Sequence, residues 1–158
     1  MWGLLAIPSI VEMIISDFRS RTVRVKTLAE TFVLLTVSAI IKYGLHDTLL
    51  NMTANGAACL LIGLCTLAYL RIRKTPISKA VGCGDILFIL SLTPLFRLNV
   101  FVLFMTVSSA LILSSWFIYT VILKSKGKIY RRSIPFVSGL GICVTSHLII
   151  ACLFVPFN

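Results

Sequence analysis

From Leu98 to Leu123 the chain carries no charged residue. About 20 apolar residues in a helix suffice to cross the hydrocarbon core of a bilayer, so this run alone predicts a membrane span. The rest of the chain agrees with it. Of 158 residues, 58% are hydrophobic, and the mean hydropathy is +1.02. A soluble domain is usually ~45–50% apolar and has nowhere to hide such an excess. The expected fold class is therefore an all-α polytopic membrane protein, with residues 1–158 forming a single membrane-embedded helical domain. No internal repeat, low-complexity stretch or separate soluble domain is evident.

Six membrane segments are expected. They are Trp2–Ser16 or slightly beyond, Leu28–Ile41, Thr53–Leu70, a fourth beginning between Ile77 and Asp85 and ending near Phe96, Leu98–Leu123, and Ile134–Phe157. Segments one, two and four are short and need flanking polar residues at the interface. Basic residues then set the orientation. Arg19, Arg21, Arg24 and Lys26 follow segment one. Arg71, Arg73, Lys74 and Lys79 follow segment three. Lys124, Lys126, Lys128, Arg131 and Arg132 follow segment five. These alternate loops hold thirteen of the fifteen Lys and Arg residues; only Lys42 and Arg97 fall on the other side. The positive-inside rule places the basic loops in the cytoplasm and both termini outside it.

The net charge of +10 is thus a matter of topology, and no nucleic-acid partner is expected. Cys59, Cys65, Cys83, Cys143 and Cys152 form no CxxC pair, which predicts neither a zinc site nor a disulfide framework. The N-terminus lacks a basic stretch and an obvious small-residue cleavage site, so no removed signal peptide is expected. No metal or other cofactor is called for.

Only five residues are acidic. Asp47 lies beside His46 on the outer side. Glu12 falls within segment one and Glu30 near the start of segment two; pairing with a loop Arg or Lys is the expectation for both, and lining a functional site or binding positive charge there is the alternative. His147, deep in segment six, is expected to be a hydrogen-bonded residue of the bundle. Asp17 and Asp85 differ from these. One closes segment one and the other opens segment four, so the topology brings both to the cytoplasmic face at similar depth. Ionisable residues at membrane depth are costly and mark functional sites. Two adjacent carboxylates cannot both ionise, so they share a proton; one then activates water while the other protonates the scissile carbonyl. Gly82 and Gly84 beside Asp85 are candidate supporting residues that admit close backbone approach. The simpler roles are a helix cap for Asp85 and a pair with Arg21 for Asp17. On helix dipoles alone, Asp85 is the water-activating base and Asp17 the proton carrier.

The stretches Ser16-Asp17-Phe18-Arg19-Ser20-Arg21-Thr22-Val23, Gly82-Cys83-Gly84-Asp85-Ile86-Leu87-Phe88 and Arg131 to Gly141 (RRSIPFVSGLG) resemble, in order and spacing, the aspartate motifs and last-helix motif of the type IV prepilin peptidases. These are GxGD polytopic membrane aspartyl proteases. The resemblance covers nearly the whole chain. It implies an aspartic endopeptidase with Asp17 and Asp85 as the catalytic pair. Its action would remove the basic leader from type IV prepilin or pseudopilin-like precursors at the cytoplasmic membrane face. This chain departs from the pattern at three places. Val23-Arg24 stands where the family has Ile-Pro, Leu87 where it has Lys, and Ser138 near a second Pro. It also lacks the paired cysteines of the family's N-methylating region, so peptidase without methyltransferase activity is expected. The alternative is a catalytically impaired relative serving as a scaffold or assembly subunit of a pilus or secretion system.

Overall fold

The computed structural model describes residues 2–20, 23–74, 82–125 and 136–154. Within them the regular structure is helical throughout. A 3₁₀ segment, Trp2–Ala6, leads into α1 (Ile7–Ser20); α2 (Val25–Tyr43), α3 (Leu45–Ile72), α4 (Cys83–Ser91), α5 (Leu98–Ser125) and α6 (Phe136–Phe154) follow. Three of these, α3, α5 and α6, are long and apolar enough to cross a membrane. Leu60, Leu61, Ile62 and Leu64 on α3 and Leu103, Leu111 and Phe117 on α5 are all more than half exposed. An apolar exterior of that extent suits lipid and would drive a soluble protein to aggregate.

The core forms where α1 meets α6. Ala6, at the end of the 3₁₀ segment, and Ile10 and Met13 on α1 are fully buried, and the same face of α1 continues to Asp17 by the i+3, i+4 spacing. On α6, Val137, Leu140 and Val144 are its counterparts. Gly141 lets the two helices close up: a Cβ there would lie 2.8 Å from Ile14 Cγ1 and 3.4 Å from Ile10 Cγ2. A polar seam joins α1 to α2, where the buried Thr31 hydroxyl lies 3.0 Å from Ser9 Oγ. Neither residue stands out in the sequence.

The structure alters two expected boundaries. The connection between segments two and three, read as a loop of about ten residues, is Gly44 alone. His46 and Asp47 lie in the first turn of α3, where an acidic residue complements the helix dipole, rather than in a loop. Gly44 has φ 85° and ψ 164°, a region essentially closed to residues with a Cβ. Gly44→Ala should therefore cost about 1–3 kcal/mol, although no atom lies within 4 Å of the position a Cβ would take. Thermal unfolding in detergent would read the loss, and an unchanged midpoint would show the α2–α3 corner to be adaptable.

The fourth segment was expected to stay helical to about Phe96. Instead α4 ends at Ser91 after nine residues, and residues 92–96 form a succession of turns. Pro94 lies among them and cannot supply an N–H to continue a helix. Leu92, Thr93, Pro94 and Phe96 are nonetheless buried. Non-helical backbone at membrane depth is tolerated only where protein satisfies it. Here Asn55 of α3, fully buried, does so: its Nδ2 donates to the carbonyls of Thr93 at 2.8 Å and Phe96 at 2.7 Å. At nine residues, about 13 Å of rise, α4 does not traverse a bilayer as a helix. The expected start at Ile77 and the end of segment six beyond Phe154 lie outside the described residues.

Candidate active site

Asp17 lies three residues before the end of α1, on its buried face, and is only 7% exposed. Its Oδ2 accepts two hydrogen bonds from a single residue of α6, the Ser138 backbone N–H at 2.9 Å and the Ser138 hydroxyl at 2.6 Å. The Ser138 hydroxyl also lies 3.2 Å from the Ile14 carbonyl. Asp17 thus binds the first described turn of a helix more than a hundred residues away in the chain. No spacing rule exposes that link; the only local signal is a serine in the first turn of an apolar helix.

Asp85 is half-buried in the first turn of α4. Gly82 caps that helix, and the Asp85 carboxylate accepts a hydrogen bond from the Gly82 backbone, the acidic half of a capping box. The cap itself is Gly82 rather than Asp85, whose part is to accept that bond from the third helical position. That part coexists with a second property: Asp85 and Asp17 are near enough for the charge of one to act on the other. The structure brings the two predicted carboxylates to one end of the bundle, from different helices.

The glycines matter for space rather than for unusual backbone angles. Gly82 has an ordinary extended conformation, φ −76° and ψ 132°, but a Cβ there would sit 2.9 Å from Asp85 Oδ2 and push the carboxylate aside. A Cβ on Gly84 would lie 3.3 Å from Val23 Cγ2. Gly84 thus lets the start of α4 lie close against Val23 in the α1–α2 connection. Gly84→Val should lower turnover at least tenfold, about 1.4 kcal/mol of barrier. Gly84→Ala should have a smaller effect, because its single methyl, 3.3 Å from Val23 Cγ2, asks that side chain to give by only a few tenths of an ångström. Equal rates in wild type and Gly84→Val would reduce Gly84 to a turn residue.

Other acidic residues stand apart from the pair. Glu12 meets Arg24 at 3.4 Å and Glu30 meets Lys26 at 3.9 Å, with all four side chains largely exposed; such pairs contribute ~0–1 kcal/mol. The expected pairing with basic residues thus holds for both. Asp47 lies 3.4 Å from His46 at the opposite end. His147 packs against the rings of Phe96 and Phe104, at 5.0 and 5.9 Å between centroids. Arg21, the expected partner of Asp17, lies outside the described residues, as do Arg131–Pro135 of the third motif. A shallow depression on α3, lined by Leu61, Ile62, Cys65, Thr66 and Tyr69, holds no carboxylate and belongs to one helix face. Among the described residues, no three His, Cys, Asp or Glu side chains group as metal ligands. No protein-family model, no curated protein and no solved structure matches the chain.

Proposed function

We propose that the protein is a membrane aspartyl endopeptidase of the prepilin-peptidase type. It removes the basic leader of a type IV prepilin-like or pseudopilin-like precursor at the cytoplasmic membrane face. The observation that carries the reading is that Asp17 and Asp85, two carboxylates on different helices, stand within electrostatic reach of each other. That is the minimum equipment for hydrolysis by a shared proton. The motifs around both residues support the substrate class by resemblance.

In this reading six segments enter the bilayer of the cytoplasmic membrane, with α4 and its buried turn packed against the others, and both termini lie outside the cytoplasm. The placement of the basic residues supports that orientation. Arg24 and Lys26 open α2, and Arg71 closes α3, which runs antiparallel to α2 after Gly44. Lys42 closes α2 at the opposite end, where the Arg97 guanidinium, just before α5, lies 5.9 Å from the Tyr43 ring centre. The aspartates therefore share the basic, cytoplasmic end, where a basic leader joined to an apolar helix would emerge from the membrane surface.

The alternative is a non-catalytic assembly subunit of a pilus or secretion system. One observation favours it: each aspartate already has a structural task, Asp17 in binding Ser138 of α6 and Asp85 in accepting from the Gly82 backbone at the start of α4. The two readings separate in one assay. Purified protein in detergent, given a prepilin-like precursor, shortens it if it is a peptidase. A scaffold co-purifies with the precursor and leaves its length unchanged.

A further inference from the structure

We infer that Lys42 and Arg97 form a binding site for the phosphate of an anionic phospholipid headgroup, at the end of the bundle opposite the aspartates. The inference rests on the placement of the helices in a membrane and is independent of the peptidase reading.

The sequence sets the problem. Thirteen of the fifteen Lys and Arg residues belong to the basic loops at the other end; Lys42 and Arg97 are the two that do not. Basic residues are disfavoured on that side of a membrane protein, so the two exceptions call for a reason of their own. They are far apart in the chain, one closing α2 and the other just before α5. The fold nonetheless gathers both onto one aromatic ring. Lys42 Nζ lies 4.9 Å from the Tyr43 ring centre, and the Arg97 guanidinium carbon lies 5.9 Å from it.

A cation–π contact at an exposed site is a modest attraction. It accounts for either cation alone. Two like charges brought to one ring repel each other, and an anion held between them reverses the sign of that interaction. Among the described residues, no carboxylate pairs with Lys42 or Arg97. Asp47, the acid nearest to Lys42 in the chain, stands 3.4 Å from His46 instead.

The helix ends favour the same ligand. Past Tyr43 the chain turns at Gly44 and starts α3 at Leu45, and past Arg97 it starts α5 at Leu98. The unpaired N–H groups of a helix start attract anions, and the first turn of α5 holds no acidic residue to take them up. On α6, His147 packs against Phe96, the neighbour of Arg97, at 5.0 Å between ring centres. Three helices and a buried turn therefore border this corner.

A phosphodiester suits such a pair. Its charged oxygens can take the planar fork of Arg97 and the point charge of Lys42 together. The surroundings favour a lipid as its source. Tyr is a residue type that settles at headgroup level, and Ile41 and Leu98, the neighbours of the two cations in the chain, are exposed apolar side chains. A lipid whose phosphate is held here lays its acyl chains along that apolar exterior, and free phosphate gains nothing from it. A headgroup with its own ammonium would bring a third positive charge to the corner. An anionic headgroup such as that of phosphatidylglycerol does not.

The test uses the full-length protein in phosphatidylcholine vesicles that contain a small share of phosphatidylglycerol with a photoreactive headgroup. After illumination, mass spectrometry of the digested protein locates the label. Label is expected on the segments that carry Tyr43 and Arg97. In Lys42→Gln/Arg97→Gln it should fall there by at least about tenfold, while label on the basic loops of the other end stays at the wild-type level and reports an intact fold. Excess unlabelled phosphatidylglycerol should displace it from the wild type, and neither the same excess of phosphatidylcholine nor millimolar inorganic phosphate should do so. No label at this corner, or equal label there in the double variant, overturns the inference. Displacement by inorganic phosphate overturns the lipid source and leaves a site for free anions. Should the double variant fail to fold, the competition in the wild type still decides: phosphatidylcholine displacing the label as readily as phosphatidylglycerol would contradict an anionic site. None of these readings involves cleavage of a precursor, so they stand or fall apart from the peptidase reading.

Discussion

Asp17→Asn and Asp85→Asn should each abolish precursor cleavage while the protein still inserts and purifies as wild type does. Asparagine preserves the shape of the carboxylate but cannot take up or release a proton. General acid–base catalysis contributes ~10²–10⁴-fold, so the loss should be at least a hundredfold in either variant. The two sites are not symmetrical in their structural cost. At position 17 the asparagine carbonyl can still accept from Ser138, but a neutral acceptor makes weaker bonds than a charged one. At position 85 it can still accept the Gly82 bond. Insertion should therefore survive in both, with Asp17→Asn the less stable. The measurement is the initial rate at a pH between the two limbs of the profile. A rate near wild type in either variant would remove that residue from the chemistry.

The second large effect is on stability. Asn55→Leu should destabilise the protein by about 2–5 kcal/mol, because it strands the carbonyls of Thr93 and Phe96 in a buried setting, at ~1–3 kcal/mol each. Leucine has the same branching but bulkier methyl groups, so some overpacking adds to the loss of the hydrogen bonds. Among the described residues, Asn55 Oδ1 is itself buried without a partner, which offsets part of the cost and sets the lower end of the range. Unfolding in detergent, followed by loss of α-helical signal, reads the change. Stability equal to wild type would mean that the turn at residues 92–96 finds other donors. Because α4 hangs between this turn and Asp85, the variant should also lose activity.

These two sites differ in how far the sequence discloses them. Asp17 is legible because it completes the 10, 13, 17 face of α1, and a carboxylate on such a face asks for an explanation. Asp85 is legible because two glycines and a helix start surround it. Alternation of basic loops brings both residues to one end, where they stand within electrostatic reach of each other. The buried turn is not legible from apolarity, since Leu92, Leu95 and Phe96 extend the pattern of α4 without a break. Pro94 hints at the stop, but the residue that makes the stop affordable is Asn55, some forty positions away. Ser138 is hidden for the same reason: its partner is 121 residues distant. The early start of α3 was obscured because His46, Asp47 and Asn51 read as loop residues, when Gly44 alone turns the chain. Periodicity reports which face of a helix is buried; it does not report which polar group on another helix satisfies it.

The central claim is that Asp17 and Asp85 form one hydrolytic site at the basic end of the bundle. Mass spectrometry of a prepilin-like precursor incubated with the purified protein tests it most directly. The expected result is a single cut between the basic leader and the apolar helix, produced by wild type and absent in the Asp17→Asn/Asp85→Asn double variant. An intact precursor after incubation with folded wild-type protein, or the same cut made by the double variant, would contradict it.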